Sequence, residues 1–399
     1  MITPTLSLNG LLILLAALTA LAPLSIDAYL PAMPSMATDL VSSIHDIELS
    51  LSLFLAGFSI GQLMGGPLSD HFGRRTTVLT GLTIFALGTL GIVLCSSLTG
   101  LLAFRCLQAL GGGLAIVNSG AIIRDISSGR DSARNLSHMA FIMMIAPLLA
   151  PVLGATILHF SSWHGIFVFL LIYTLIVGFL FQKYIPETKV HHPHKISTVQ
   201  RYLLVVKHRQ ALGYLFALCC AYGGMFAFIT GSPSVYMGYF NISENTYALF
   251  FGANIVFMLI ANRLNIVLLR RFEPDQLLSL GQAIQVTSGV ILLAYITFSS
   301  APELGLVVFM IMLFVGSQSF IVSNATSSTI EFFPHNSGTA SALLGASGFA
   351  TGALTGSLVG LLGDGTPFPM ALVMTTCIVV GISLRFIFQT TKTDCFIKH

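Results

Sequence analysis

Charge is what this sequence has least of. Only 8% of its 399 residues are charged, while 55% are hydrophobic. A water-soluble fold of this length is excluded by that balance. Lys and Arg are absent altogether from the short loops on alternate sides of the apolar runs. The six cysteines form no C-x-x-C metal spacing and no pair suited to an extracellular disulfide. Cys95, Cys106, Cys219, Cys220 and Cys377 lie in or beside apolar runs, and Cys395 lies in the tail, as small fillers. No H-E-x-x-H pair, no P-loop, no dense cluster of intramembrane acids and histidines and no filter-like loop occurs. Enzyme and channel chemistry are therefore not expected, and neither is a cofactor or a metal.

Twelve separable apolar stretches are present. They fall at about 8–30, 47–69, 77–97, 100–123, 137–160, 164–184, 211–232, 247–269, 277–298, 303–325, 338–362 and 368–388. A run of about twenty apolar residues crosses a bilayer core as a helix. The period-two alternation of barrel strands is missing, and lipid demands internal pairing of the backbone. The fold class expected is an all-α membrane protein with twelve transmembrane helices. The first run is read as a span and not a cleaved signal. It lacks a basic leader, contains Asp27 and ends in Pro31 and Pro34.

Sixteen of the eighteen basic residues fall on one side of these spans. They are Arg74 and Arg75, Arg124, Arg130 and Arg134, six between positions 183 and 209, Arg270 and Arg271, and Arg385, Lys392 and Lys398. Arg105 and Arg263 lie within spans. The opposite loops carry acids only: Asp39, Asp46, Glu48, Glu244, Glu303 and Asp364. The positive-inside rule then places both termini in the cytoplasm. The net charge of +3 is a topology signal, so no nucleic-acid partner is expected.

The segment 186–209 divides the chain into a six-span bundle at 1–185 and another at 210–399. Two such halves, entering from one side, fit parallel repeats about an axis along the membrane normal. His191, His192 and His194 lie in this linker and are read as solvated.

Two intramembrane charges stand out. Arg105 sits inside the fourth span, where a cation needs a partner or water. Asp27 sits near the end of the first span, which runs the other way, so the two are expected at similar depth. Burial favours the neutral acid and a nearby cation favours the carboxylate, a balance suited to proton coupling.

The run Gly66-Pro67-Leu68-Ser69-Asp70-His71-Phe72-Gly73-Arg74-Arg75 resembles the loop motif between the second and third helices of the major facilitator superfamily. The resemblance implies that Asp70 docks on the start of span eleven, at Ser337-Gly338-Thr339. Arg74 and Asp125 would complete a cytoplasmic gate cluster with Gly66, Gly73 and Arg75. Arg105 with Gln108 resembles the fourth-helix motif, with Ala109 replacing a glycine. Ala146–Ala155 resembles the antiporter motif of the fifth helix, with Pro151 and Gly154 kept. Gly348, Gly352, Gly356 and Gly360 form a small-residue stripe for close packing in span eleven. Pro23–Pro34, Ile123-Arg124-Asp125, Ser162-Trp163-His164, Ser323-Asn324-Ala325 and Glu331–Ser341 resemble the Bcr/CflA group of multidrug exporters. That resemblance implies proton-coupled antiport of neutral or cationic amphipathic drugs, such as bicyclomycin or chloramphenicol types, by a monomer in a bacterial inner membrane. A proton-coupled metabolite transporter of the same fold is the alternative.

A substrate path is expected midway between the halves. Its candidate lining is Tyr29, Phe58, Gln62, Asn118, Met143, Tyr222, Phe226, Asn254, Gln318 and Asn324. Aromatic and Met side chains give adaptable apolar contact.

Overall fold

Caps and turns, not hydropathy, set where the helices begin and end. The computed structural model describes residues 7–127, 129–188, 198–333 and 337–389. The histidines of the linker, Cys395 and the side chain of Met143 lie outside the described residues. Helix α1 (Leu8–Asp27) starts where the Ser7 hydroxyl accepts from the Gly10 amide. A 3-10 turn at Leu30–Ala32, holding Pro31, joins it to α2 (Met33–Asp39). Helix α3 (Ile44–Phe72) opens on a capping box between Ser43 and Asp46, one turn before the apolar run begins. Glu48 therefore lies inside a helix and is fully buried, which corrects its assignment to a loop.

Helices α4 (Arg74–Leu94), α5 (Leu98–Ile116), α6 (Asn118–Ile126), α7 (Gly129–Phe160) and α8 (Trp163–Tyr184) complete the first half. The linker is helical in part: α9 covers Thr198–Lys207. The second half is α10 (Arg209–Pro233), α11 (Glu244–Leu268), α12 (Pro274–Phe298), α13 (Leu304–Glu331), α14 (Ser337–Leu362) and α15 (Phe368–Gln389). Among the described residues there is no strand. Among the described residues eleven helical segments are long and apolar enough to cross a membrane, with α1 running into α2 and α5 into α6. The crossing by α7 makes twelve; its described apolar stretch is Ile145–Phe160. Exposed Phe179, Leu361 and Phe386 on outer faces suit contact with lipid tails.

The halves meet along two seams. Helix α3 packs on α14, and α7 packs on α11. The first seam joins crossing two of the first half to crossing five of the second. The other joins crossing five of the first to crossing two of the second. Exchanging the halves maps one seam onto the other, as a twofold pseudo-symmetry requires. One end of the bundle carries Arg74, Arg75 and α9, and is called the basic face below; the other carries Asp39, Asp46 and Asp364 and is called the acidic face.

Candidate functional site

A cavity of about 200 Å³ lies between the halves. Asp27 at the end of α1, Pro147 of α7, Tyr222 and Phe226 of α10, Asn254 of α11 and Phe349 of α14 contribute to its wall. Both halves therefore build it. Asp27 is buried, and its Oδ1 has no hydrogen-bond partner. It supplies a carboxylate to an otherwise largely apolar chamber.

Arg105 does not pair with Asp27, which corrects the expected couple. The guanidinium donates to Gln108 Oε1 at 2.7 Å and to the Ser25 carbonyl at 3.1 Å. The rings of Tyr29 and Phe54 each lie 4.3 Å from its Cζ, a cation–π clamp. Gln108 in turn donates to Thr89 Oγ1 at 2.9 Å. The reason is helical phase. Ser25 and Asp27 stand about 200° apart around α1 at ~100° per residue. When the Ser25 side meets Arg105, Asp27 is turned toward the cavity.

Three of the ten candidate lining residues, Tyr222, Phe226 and Asn254, face the cavity. Six of the others, all but Met143, are placed differently. Tyr29 stacks on Arg105 and bonds Ser50 at 3.2 Å. Phe58 packs against Phe349, with ring centroids 4.7 Å apart, just behind the wall. Gln62 faces Gly345 across the α3–α14 seam. Asn118 donates to the Leu114 carbonyl and lines a separate cavity at the basic face. Gln318 accepts from Gln285, and Asn324 donates to Asn265, so both tie helices within the second half. Gln285, Gln318, Asn265 and Asn324 thus satisfy one another in part, as lipid favours, while Asp27 Oδ1 and Asn254 Oδ1 on the cavity wall are both buried without a partner.

Met225 and Ile229 on α10, and Phe251, Ile255 and Met258 on α11, are wall residues not anticipated, though a signal existed: they complete the sets Tyr222, Met225, Phe226, Ile229 and Phe251, Asn254, Ile255, Met258. Each set follows the i, i+3, i+4, i+7 spacing of one helix face.

Pro151 and Gly154 lie on α7 outside the cavity wall. Gly154 instead abuts the backbone of Ala28, leaving no room for a side chain.

The basic-face cluster is well connected. Arg74 donates to Asp70 Oδ1 at 2.8 Å and to Asp125 Oδ2 at 3.2 Å. Arg201 of α9 reaches Asp70 Oδ2 at 3.3 Å, and the Tyr202 hydroxyl lies over Gly66. Gly73 has φ +100°, a conformation that favours glycine, and breaks α3 from α4. Glu187, unnoticed in the sequence, accepts from the amides of Arg74 at 2.7 Å and Arg75 at 3.1 Å. It thereby caps α4, while Arg75 bonds the Gln182 carbonyl at 2.6 Å. Asp70 shares a cavity with Gly338 and Thr339 at the start of α14. No hydrogen bond joins it to that helix among the described residues. Arg74 and Arg201 take its oxygens instead, a second correction.

Known proteins place this architecture. The chain is 34% identical to a bicyclomycin resistance protein homolog of Haemophilus influenzae, covering 95% of each chain. It is 28% identical to a chloramphenicol resistance protein of Pseudomonas aeruginosa, covering 94% of this chain and 90% of the other. Its fold is like that of a bacterial homolog of the human lysosomal transporter Spinster, in an inward-facing and occupied conformation. That match has a TM-score of 0.75 at 13% identity, covering 96% of this chain and 97% of that one. A D-xylose–proton symporter gives a TM-score of 0.70 at 17% identity, covering 96% and 98%. With residues 15–357 also matching the Major Facilitator Superfamily pattern, the chain belongs to that superfamily: it is a secondary transporter of small molecules, a multi-pass protein of the bacterial inner membrane, and not an enzyme.

Proposed function

We propose that this transporter exports amphipathic, drug-like molecules in exchange for protons, as the Bcr/CflA group does, and works as a monomer by alternating access. The observation that carries the reading is Asp27: a buried carboxylate with one unpartnered oxygen, facing an apolar cavity between the halves. A proton and a cationic or hydrogen-bonding substrate group would compete for that oxygen, and competition for one group is what antiport needs. Tyr222, Phe226 and Phe349 offer aromatic faces to an amphipathic substrate. The relatives named for bicyclomycin and chloramphenicol resistance support the same substrate class. The basic face would be cytoplasmic by the positive-inside rule, with both termini on that side. The Asp70–Arg74–Asp125–Arg201 cluster would then hold the cytoplasmic ends of the helices together. One charge moved across 100 mV supplies about 2.3 kcal/mol, or roughly fifty-fold accumulation.

The test is efflux of a loaded dye or antibiotic from vesicles under an imposed pH gradient. Asp27→Asn is expected to abolish gradient-driven efflux while the protein still inserts. Normal efflux by Asp27→Asn, or wild-type efflux indifferent to a protonophore, would refute antiport through this residue.

A second reading is proton-coupled transport of a metabolite by the same fold. The fold likeness to the D-xylose–proton symporter supports it. A panel of drugs and metabolites in the same vesicles separates the two. The wall around Asp27 has few hydrogen-bonding groups for a polyol, so apolar substrates are expected to win.

A further inference from the structure

A second buried carboxylate lies apart from the central cavity. Glu48 of α3 is fully buried. Its Oε2 is 3.0 Å from Nδ1 of His45, one turn earlier, and its Oε1 is buried with no partner. The pair sits at the acidic-face end of the α3–α14 seam. The His45 imidazole fills the space that a Cβ on Gly363 would occupy. The His45 carbonyl abuts Gly360 in the same way, and Ser52 and Thr230 flank Gly356. Ser52 Oγ and Thr230 Oγ1 are also buried without partners. The other ionisable groups facing the pair are Asp46 on α3, Asp364 after α14 and Tyr29 after α1. Asp46 is held by Ser43, Asp364 by Thr366 and Tyr29 by Ser50. His45 is thus the side chain that compensates Glu48.

We propose that His45 and Glu48 form a proton-binding site that locks the acidic-face end of the α3–α14 seam. One proton on the imidazole leaves the pair neutral overall. Without that proton, closing α3 onto Gly360 and Gly363 would bury a bare carboxylate, which is strongly disfavoured. Separating the helices admits water to Glu48, and a hydrated imidazole gives up its proton near pH ~6.5. Closure therefore takes up one proton and opening returns it. Closure is complete below about pH 6.5 and weakens by up to about tenfold per pH unit above it. This site is separate from Asp27 and requires neither a substrate nor a direction of transport.

The experiment measures the distance between spin labels on Val41→Cys and Leu361→Cys, in the full chain freed of native cysteines and placed in lipid nanodiscs. Wild type is expected to show the short distance at about pH 6 and a growing long-distance population toward about pH 9. Asp27→Asn should leave that response intact. Glu48→Gln buries a neutral amide, so it should stay short at about pH 9. His45→Gln removes the proton's donor and should already be long at about pH 6. Wild-type pH dependence in either Glu48→Gln or His45→Gln would overturn the proposal, as would a wild-type distance that ignores pH.

Discussion

Gly154 of α7 rests directly on the Ala28 carbonyl, one residue past Asp27. A methyl group at position 154 would fall within bonding range of that oxygen, so backbone must move to admit it. The small residue is what lets α7 support the turn that aims Asp27 into the cavity.

Gly154→Ala is accordingly expected to cost about 1–3 kcal/mol by overpacking. It should also impair efflux, because the displaced backbone carries Asp27. Thermal unfolding in detergent and vesicle efflux read the two effects. Wild-type values in both would show that the contact is easily relieved.

Arg105 and Asp27 do not touch, and that has an energetic signature. Arg105→Ala should destabilise by roughly 2–4 kcal/mol, since it strands Gln108 and empties the space between Tyr29 and Phe54. Combined with Asp27→Asn, the losses should add to within about 0.5 kcal/mol. A larger coupling in the double-mutant cycle would mean that the two charges do interact.

Glu187 caps α4 through the amides of Arg74 and Arg75. Removing that carboxylate in Glu187→Ala should lower stability by about 1 kcal/mol. Glu187→Gln keeps an acceptor but loses the charge, and should fall between the two. The melting temperatures of the three proteins, taken in one detergent, give the order.

Cavity-facing and helix-tying residues should separate in a drug panel. Phe226→Ala and Tyr222→Ala are expected to change which compounds are exported, because both line the chamber. Gln318→Ala should leave the spectrum alone and lower stability by about 1 kcal/mol, since it breaks the bond with Gln285. A changed spectrum in Gln318→Ala alone would place the substrate path elsewhere.

Much of the site was legible one residue at a time and little of it as an arrangement. Asp27 stood out as an acid in an apolar run, and Arg105 as a cation in another. Their expected pairing rested on equal depth, which says nothing about rotation around each helix. Glu48 stands at the very edge of the second apolar run, where hydropathy does not separate a loop acid from a helical one, and the Ser43–Asp46 cap places it a full turn inside the helix. Gln318 and Asn324 looked like lining residues because they are polar within spans. Neighbouring helices supply Gln285 and Asn265 as their partners, and those contacts are between residues far apart in the chain. Glu187 had no local pattern at all; its partners are amides more than a hundred residues away.

The sequence by itself determined the spans, the side on which positive charge collects and the two-half plan. Each of these is a sum of local transfer free energies, so it survives without knowledge of packing. Only the tertiary structure decided that Asp27 faces the cavity, that Arg105 lies between aromatic rings and that the His45–Glu48 turn is buried beneath the end of α14. Those outcomes depend on the rotation and register of one helix against another. Close contacts such as Gly154 on Ala28 set that rotation, and a hydropathy pattern carries no trace of them.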